Sequence, residues 1–252
     1  MHNLARFVNY STSFSGTSIG NLYKTHKRPI DNFSSRTRRR KDVFNETSIL
    51  MRGDVLFMRN NYERRGKWNI PLVRKQTIDM DKLSLIACSD TRPNDAPENC
   101  RRGVHFFVDD YRFNGIYNNP ERTLDKFSQY RFLLTPDFST YADMDMWRQM
   151  ESVAKNRWVG AFWQEHGLTV IPTISWSTAS SFDFCFDGAE TCGTVAVGMI
   201  GCKSNRLGFM RGYDAMLERL VPETIICFGT PFPEMRGNII PVNYRTSRKA
   251  VR

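Results

Sequence analysis

The sequence predicts a single α/β domain in which βα units form a mainly parallel sheet, either open or closed into an incomplete, TIM-like barrel. Short apolar, β-branched or aromatic runs recur about every 25 to 35 residues, and helical patterns lie between most of them. The 252 residues are 40% hydrophobic and 13% aromatic, which suits one substantial core and excludes wholesale disorder. The clear strands are fewer than a complete (βα)8 barrel requires, so closure is left open.

Five segments have the composition of buried strands, and residues 42–103 are expected to add one or two more as a lead-in segment. Strands that alternate with helices predict right-handed crossovers and parallel pairing. The five strand segments are VHFFV (104–108), YRFLL (130–134), LTVIPTISW (168–176), TVAVGMI (194–200) and TIICFG (224–229).

Three helices have legible start signals. Asn119-Pro120-Glu121 precedes TLDKFSQY, and Asp143 is placed to cap the long pattern that ends near His166. Asn205 is placed to begin a helix through Leu220, whose apolar residues follow three-and-four spacing. The stretch 177–192 (STASSFDFCFDGAETC) joins two strands without a convincing helix, which is typical of a functional loop.

The net charge of +10 is concentrated at the two ends of the chain. Residues 1–41 hold nine Lys or Arg and one acid, residues 236–252 hold five Lys or Arg and no acid, and the rest is slightly acidic. We therefore predict a flexible basic arm (1–41), one α/β domain (42–235, with the βα repeats at 104–235) and a basic C-terminal tail (236–252). This pattern favours contact with nucleic acid, although such residues can also serve solubility or an anionic membrane surface. The candidate contacts are Arg38, Arg39, Arg40, Lys41, Arg245, Arg248 and Lys249.

A cytoplasmic protein without membrane association is predicted. No window approaches the roughly 18 consecutive apolar residues of a membrane helix, and Met1–Tyr10 lacks the apolar core of a signal peptide. The six cysteines are expected to be reduced thiols. Their spacing contains no closely spaced ligand pair and does not favour a zinc site.

Acidic side chains follow two of the predicted strands, and ligand sites of parallel sheets form at such carboxyl ends. Asp110 and Asp137 are candidate ligands for Mg²⁺ or Mn²⁺, with Asp183 or Asp187 from the 177–192 loop as a further ligand, for activating water in phosphodiester cleavage. The same carboxylates could instead divide acid and base work on a glycosidic bond. Arg112 is a candidate phosphate ligand. The alternative is structural, because aspartate after a strand often caps a helix or forms a turn.

Trp176 ends a predicted strand and is a candidate for stacking on a base or a sugar, or for packing in the core. The sequence has no GxxxxGKS/T loop, GxGxxG turn, HExxH helix or nucleophile elbow. No glycine-rich turn follows VHFFV, which argues against a dinucleotide cofactor.

Several long motifs resemble a family catalogued as a domain of unknown function, DUF4417, which occurs in bacteria, their phages and other mobile elements. The likeness covers roughly Trp68 to Gly237. It implies no catalytic residue, and it suggests a phage or mobile-element setting. The motifs are FFVDDYRFNGIYNNPE, RFLLTPDFSTY, NRWVGAFWQEHGLTVIPTISW, SFDFCFDG, VAVGMIGC and TIICFGTPFPEMRGN.

Together these features predict a nucleic-acid-associated protein of a phage or mobile element, with metal-dependent hydrolysis at the strand-end aspartates as its candidate activity. Two alternatives stay open: an enzyme acting on a small nucleotide, a glycoside or another anionic metabolite, and a non-catalytic structural or interaction protein. A large exposed apolar patch would mark the last of these.

Overall fold

The structure is a computed structural model that describes residues 62–247. The predictions for the basic arm, including Arg38, Arg39, Arg40 and Lys41, and those for Arg248 and Lys249 lie outside these residues. The strands are β1 (Arg64–Arg65), β2 (Ile70–Pro71), β3 (Leu85–Ala87), β4 (Gly103–His105), β5 (Phe132–Leu134), β6 (Val170–Ile171), β7 (Thr194–Gly198), β8 (Thr224–Phe228) and β9 (Ile239–Val242). The α-helices are α1 (Pro97–Cys100), α2 (Asn114–Asn118), α3 (Leu124–Phe127), α4 (Met146–Glu165), α5 (Arg206–Leu220) and α6 (Tyr244–Ser247). Short 3-10 helices lie at Asp110–Arg112, Pro120–Thr123, Ala179–Asp183 and Cys202–Asn205.

The strands β3 to β9 are parallel and follow one another in chain order. One sheet has the order β3-β4-β5-β6 and a second has the order β7-β8-β9, while β1 and β2 form an antiparallel hairpin. A single parallel bridge between Thr173 and Ala196 connects the two parallel sheets. The predicted α/β class with mainly parallel sheets is therefore confirmed. Within residues 62–247, β9 and β3 do not pair, so the sheets do not close and the TIM-like barrel is not confirmed.

Proline and threonine explain why β5 and β6 are short. Pro136 and Pro172 follow these strands, and proline has no N–H to donate to a ladder. Thr135 and Thr173 take over the pairing: the Thr173 N–H donates to Thr135 Oγ1 at 2.7 Å, and the Thr173 hydroxyl donates to the Thr135 carbonyl at 2.8 Å. The two segments therefore stay side by side beyond the ends of β5 and β6, as far as the residues of the candidate site.

The three predicted helix starts have different outcomes. Asn205 caps α5, because its Oδ1 accepts the N–H of Gly208 at 3.1 Å, as predicted. The helix α4 is confirmed, but its N-cap is Asp145 rather than Asp143, since a turn with a Met144 N–H to Tyr141 carbonyl bond occupies Asp143. TLDKFSQY does not form one helix; it is divided between a 3-10 turn and the single turn of α3.

The strand β9 lies beyond Met235, where the sequence predicts the basic tail to begin. It pairs in parallel with β8 over four residues, from Ile225 opposite Ile239 to Phe228 opposite Val242. Four apolar residues suffice for an edge strand. A count of charges registers the neighbouring arginines and not these apolar residues, so it assigns the whole segment to a basic tail. The described part of this segment therefore belongs to the second sheet.

The core between strands and helices is strongly apolar and consists of three clusters. One cluster joins side chains from both parallel sheets, among them Leu85, Leu134, Ala196, Ile226 and Val242. Two further clusters pack the sheets against α4 and α5. All six cysteines are free thiols. Within the described residues, no helix has the length and apolar character needed to cross a membrane.

Candidate active site at the carboxyl ends of the strands

A cavity of about 680 Å³ opens at the carboxyl ends of the parallel strands. The segments that follow β3, β4, β5, β6 and β7 all contribute to its wall. The structure brings together four of the residues that the sequence predicts for the site, because parallel strands end at a common edge. These residues are Asp110, Arg112, Asp137 and Trp176.

Asp110 follows β4 and begins the 3-10 helix Asp110–Arg112. Its two carboxylate oxygens accept hydrogen bonds from Ser139, with the backbone N–H at 3.1 Å from Oδ2 and the hydroxyl at 2.8 Å from Oδ1. Ser139 lies two residues after Asp137, so the two segments are tied to each other. The Asp110 carboxylate is therefore held in one orientation at the cavity wall.

Asp137 is half-buried and lies directly after Pro136. Burial and, to a smaller extent, the nearby negative charge of Asp110 together raise the pKa of its carboxyl group to about 7. A hydrogen bond from the Ser175 side chain and the positive charge of Arg157 oppose this rise in pKa. The carboxyl group of Asp137 is consequently divided between its protonated and ionised forms at neutral pH, which suits a group that transfers protons.

A buried arginine supports this site from the helix side. Arg157 of α4 is 1% exposed, and its guanidinium donates to the carbonyls of Thr173 at 2.8 Å, Cys185 at 3.1 Å and Asp187 at 3.1 Å. Among the described residues, no carboxylate lies within ion-pair distance of it. Burial lowers its pKa to about 10. The guanidinium therefore fixes backbone segments by its hydrogen bonds, while its charge acts on Asp137 from behind.

Asn156 completes this support. Its Nδ2 donates to the carbonyl of Pro136 at 2.8 Å and, more weakly, to that of Thr173 at 3.3 Å. Pro136, directly before Asp137, has no backbone N–H to donate. Its carbonyl accepts the hydrogen bond of Asn156, which reaches it from α4. Sequence reasoning missed both residues. The available signal was an Asn-Arg pair directly before the apolar run WVGAFW.

Trp176 belongs to the cavity wall and to the core at once. Its ring centre lies 5.0 Å from that of Phe209, and a Cβ on Gly212 would come within 2.1 Å of its Nε1. The indole therefore packs directly on the backbone of α5, at a position where only glycine leaves room. The half-exposed remainder of the ring borders the cavity.

Asp183 lies elsewhere. It lines a second cavity of about 610 Å³ with Asp187, Glu190, Arg65 and Arg219, and its Oδ2 lies 3.3 Å from the Nζ of Lys67. The 3-10 helix Ala179–Asp183 directs this carboxylate toward the β1–β2 hairpin and away from Asp110 and Asp137. The structure thus does not place Asp183 with the two other candidate ligands.

Asp90 is a site residue that sequence reasoning missed. It follows β3, is half-buried, and lines the same cavity as Asp110 and Asp137. The signal was present in the sequence, since LSLIACSD repeats the pattern of VHFFVDD: an apolar run followed by an acid. The sequence predicts a lead-in segment for residues 42–103, and Asp90 is therefore absent from its candidate site residues.

A divalent cation remains a prediction for this cavity. Within residues 62–247 there is no group of three or more His, Cys, Asp or Glu side chains that could hold a metal ion. Magnesium is often held by only one or two carboxylates together with water and substrate phosphate, so the donor set of Asp110 and Asp137 is compatible with it.

Arg245, a predicted nucleic-acid contact, is exposed in α6.

The fold and cavity define an α/β protein with a mainly acidic site at the carboxyl ends of parallel strands. The chain belongs to the family described as Domain of unknown function (DUF4417), whose profile matches residues 62–245, so the resemblance expected from the motifs is confirmed. It is 37% identical over 179 residues to the Gene 1 protein of Mycobacterium phage L5, covering 70% of this chain and 77% of that protein. It is 35% identical over 179 residues to the Gene 1 protein of Mycobacterium phage D29, covering 70% of this chain and 66% of that protein. No solved structure matches the chain. The predicted phage association is thus supported by its relatives.

Proposed function

We propose that the protein is a hydrolase of a glycosidic bond, in a saccharide or in a nucleotide, with Asp137 and Asp110 as its reacting carboxylates. The observation that carries this proposal is the pairing itself: a carboxyl group with a pKa of about 7 shares one cavity with a carboxylate in fixed orientation. Two carboxyl groups in different environments are the usual way to separate acid from base work.

The roles follow from the surroundings of each group. Protonated Asp137 donates its proton to the leaving atom as the bond to the anomeric carbon breaks. Asp110 accepts a proton from the water whose oxygen bonds to that carbon, and its charge stabilises the cationic sugar in between. The products are the free sugar and the protonated leaving group, and the proton passes back from Asp110 to Asp137 through solvent.

The charge of the cavity favours this chemistry over direct capture of a phosphate. Within residues 62–247, four aspartates line it, Asp90, Asp109, Asp110 and Asp137, and Arg112 is the only Lys or Arg in the lining. An acidic cavity stabilises a positively charged transition state. Phosphate would be repelled unless it stayed near Arg112 or brought a cation with it.

The test is an assay of the full-length protein on p-nitrophenyl glycosides, nucleosides and nucleotides, in the presence of EDTA, with product detection by chromatography. The matched variants are Asp137→Asn and Asp183→Asn, which remove one carboxylate from each cavity. We expect Asp137→Asn to lower turnover by a factor on the order of 10² to 10⁴ and Asp183→Asn to leave it unchanged. Absence of turnover on the whole panel, or equal rates for both variants, would reject the proposal.

A second candidate function is a nucleic-acid-associated, metal-dependent phosphodiester hydrolase. The observation that favours it is the charge distribution, with nine Lys or Arg against one acid in residues 1–41 of a chain with net charge +10. Mg²⁺ or Mn²⁺ on Asp110 and Asp137 would then neutralise the cavity and polarise the phosphate. The test uses end-labelled nucleic acid with and without either metal, and a variant with Ala at Arg38, Arg39, Arg40 and Lys41. Metal-dependent shortening supports this candidate, and binding with an unchanged salt dependence in the variant contradicts the role of the arm.

We also propose that the two parallel sheets form one incomplete, TIM-like barrel. The parallel strands follow in chain order, and the apolar cluster of Leu85, Leu134, Ala196 and Val242 joins side chains of both sheets. The far ends approach each other, because Arg102 donates to the carbonyl of Thr246 at 3.0 Å. An experimental structure with two widely separated sheets would contradict this arrangement.

A further inference from the structure

The charged side chains of the carboxyl-end cavity lie on one side of it. Its four aspartates and Arg112 all belong to the segments that follow β3, β4 and β5. Within residues 62–247, the part of the wall that follows β6 and β7 carries no acidic or basic side chain. The apolar side chains of that part are Ile174, Trp176, Ile200 and Phe209. The cavity therefore has an acidic half and an uncharged half.

Two bases also follow β7, but they do not change this division. Lys203 and Arg206 are exposed and do not belong to the cavity wall, and Arg206 is ion-paired with exposed Glu234. The guanidinium carbon of Arg112, on the acidic side, lies 5.2 Å from the ring centre of exposed Tyr111. In the described part of the wall, a phosphate group thus meets no positive charge in the uncharged half and one in the acidic half, against four carboxylates.

The order of the strands arranges the two halves around the carboxylates of the proposed hydrolase. The first parallel sheet has the order β3-β4-β5-β6, so Asp90, Asp110, Asp137 and Trp176 follow four successive strands. Neighbouring strands lie about 4.8 Å apart. Asp90 therefore lies on the Asp110 side of the pair, and Trp176 lies on the Asp137 side. Because Asp137 protonates the leaving atom, the leaving group is directed toward Trp176 and the sugar toward Asp90.

Trp176 provides a fixed flat surface on the leaving-group side. Its indole packs on Phe209 and on the backbone at Gly212, and its half-exposed part borders the cavity. Ser175, the preceding residue, donates a side-chain hydrogen bond to Asp137. The tryptophan and the proton donor are thus tied through one segment. A flat aromatic leaving group can stack on this ring while Asp137 reaches its leaving atom.

Asp90 offers an acceptor on the sugar side. It is half-buried, and within residues 62–247 its carboxylate accepts no hydrogen bond and forms no ion pair. The Asp110 carboxylate, by contrast, already accepts both donors of Ser139. An ionised carboxylate can only accept hydrogen bonds, and the hydroxyl groups of a sugar are donors that suit it.

We infer that the substrate is an uncharged nucleoside, with its base stacked on Trp176 and a sugar hydroxyl bound by Asp90. A nucleoside has hydroxyl donors at one end and a flat uncharged ring at the other, which matches the two halves of the cavity. Water adds its hydroxyl to the anomeric carbon, and the base leaves with the proton of Asp137. The inference rests on the proposed function for the direction of the leaving group, whereas the division of the cavity is independent of it.

The two related ligand classes match the cavity less well. A nucleotide would bring a phosphate into a cavity whose described wall holds four aspartates and one arginine. An oligosaccharide would place hydroxyl groups in both halves, but the uncharged half presents mainly apolar side chains to them. Only the nucleoside combines a polar end with an apolar end and carries no negative charge.

The experiment measures ligand binding to full-length Asp137→Asn by isothermal titration calorimetry, so that little ligand is hydrolysed during the titration. The ligands are the common ribonucleosides and deoxyribonucleosides, the corresponding monophosphates and cellobiose. We expect nucleosides to bind, and each monophosphate to bind more weakly than its nucleoside by a factor on the order of ten or more, because the carboxylates repel it.

Two pairs of variants in the same background test the two halves. Trp176→Ala should weaken nucleoside binding on the order of tenfold, whereas Trp68→Ala, at an exposed tryptophan outside the cavity wall, should not. Trp176→Phe keeps an aromatic ring against α5 and should weaken binding less than Trp176→Ala. Asp90→Asn should weaken binding on the order of tenfold, and Asp183→Asn, in the second cavity, should leave it unchanged.

Equal affinities within either pair, Trp176→Ala with Trp68→Ala or Asp90→Asn with Asp183→Asn, would overturn the inference. Tighter binding of a monophosphate or of cellobiose, or no binding of any nucleoside, would do the same. An assay of the native protein on the same compounds separates the two proposals. Nucleoside binding without release of the base would reject the hydrolase and keep the ligand assignment. Cleavage of a saccharide without nucleoside binding would keep the hydrolase and reject the ligand assignment.

Discussion

Two cavities of similar size differ in how their carboxylates are balanced. In the described part of the chain, the carboxyl-end cavity, of about 680 Å³, is lined by four aspartates and a single arginine. The second cavity, of about 610 Å³, holds three acids, Asp183, Asp187 and Glu190, with three bases, Arg65, Lys67 and Arg219. Both contain half-buried or exposed acids, so the number of acids alone does not distinguish them. The ratio of acidic to basic side chains distinguishes the two cavities.

The titration of the two sites reflects this difference. Burial raises the pKa of Asp187, but Arg219 opposes the rise. At Asp137 the charge of Arg157 opposes the rise in pKa, but the neighbouring Asp110 adds to the effect of burial, so its pKa reaches about 7. Arg157 stands between the sites, hydrogen-bonded to the carbonyl of Asp187 while its charge acts on both acids. The lower share of basic side chains, rather than the presence of acids, distinguishes the candidate active site from the second cavity.

The largest expected effect comes from removing the cation between the cavities. Arg157→Met leaves the carbonyls of Thr173, Cys185 and Asp187 without their donor, and we expect it to lower the free energy of unfolding by about 3 to 5 kcal/mol. Urea denaturation measures this loss. Arg157→Lys, which keeps the charge but not the fork, should lose less. A loss below about 1 kcal/mol for Arg157→Met would show that the guanidinium does not hold the two sites together.

The second effect is a dependence of stability on pH. Because the pKa of Asp137 is raised to about 7 in the folded protein, folding favours its protonated form, and stability is lost as the pH rises from the ordinary aspartate pKa toward 7. The loss amounts to about 1.4 kcal/mol for each pKa unit of the shift. Asp137→Asn should therefore show a flatter stability curve between about pH 4 and 7, measured by thermal or urea denaturation. Parallel curves for the variant and the native protein would contradict the shift.

A smaller effect isolates the contribution of one charge. Asp110→Asn removes the negative charge beside Asp137, so the pKa of Asp137 should fall below 7, while burial keeps it above the ordinary aspartate range. Carboxyl ¹³C chemical shifts followed through a pH titration report this value directly. An unchanged midpoint would mean that burial alone sets the pKa and that the two aspartates do not act as a pair.

The smallest effect is expected in the balanced cavity. The ion pair of Asp183 with Lys67 is exposed at both side chains, 52% and 67% respectively. Asp183→Asn should change the free energy of unfolding by less than about 0.5 kcal/mol, measured by the same urea denaturation. A loss comparable to that of Arg157→Met would place a structural role in the second cavity and erase the contrast between the two.

Local features of the fold could be predicted from the sequence where the deciding interactions are local. Asn205 caps α5 by a bond to a residue three positions away, and the apolar runs that become β7 and β8 carry their own strand signal. The strand β9 and the site residue Asp90 were missed for a different reason. The segments that form β3, before Asp90, and β9 are short or lie beside charged residues. Each is defined as a strand only by its pairing, β3 with β4 and β9 with β8.

By itself the sequence predicted parallel strands and placed Asp110 and Asp137 after two of them, as candidates to meet at one edge, because the carboxyl ends of parallel strands lie on the same side of a sheet. Only the tertiary structure decided that Asp183 belongs to another cavity, that Arg157 and Asn156 hold the site from α4, and that the pKa of Asp137 is raised to about 7. The physical reason is that burial and the distances between charges depend on contacts between residues far apart in the chain, which a local pattern does not encode.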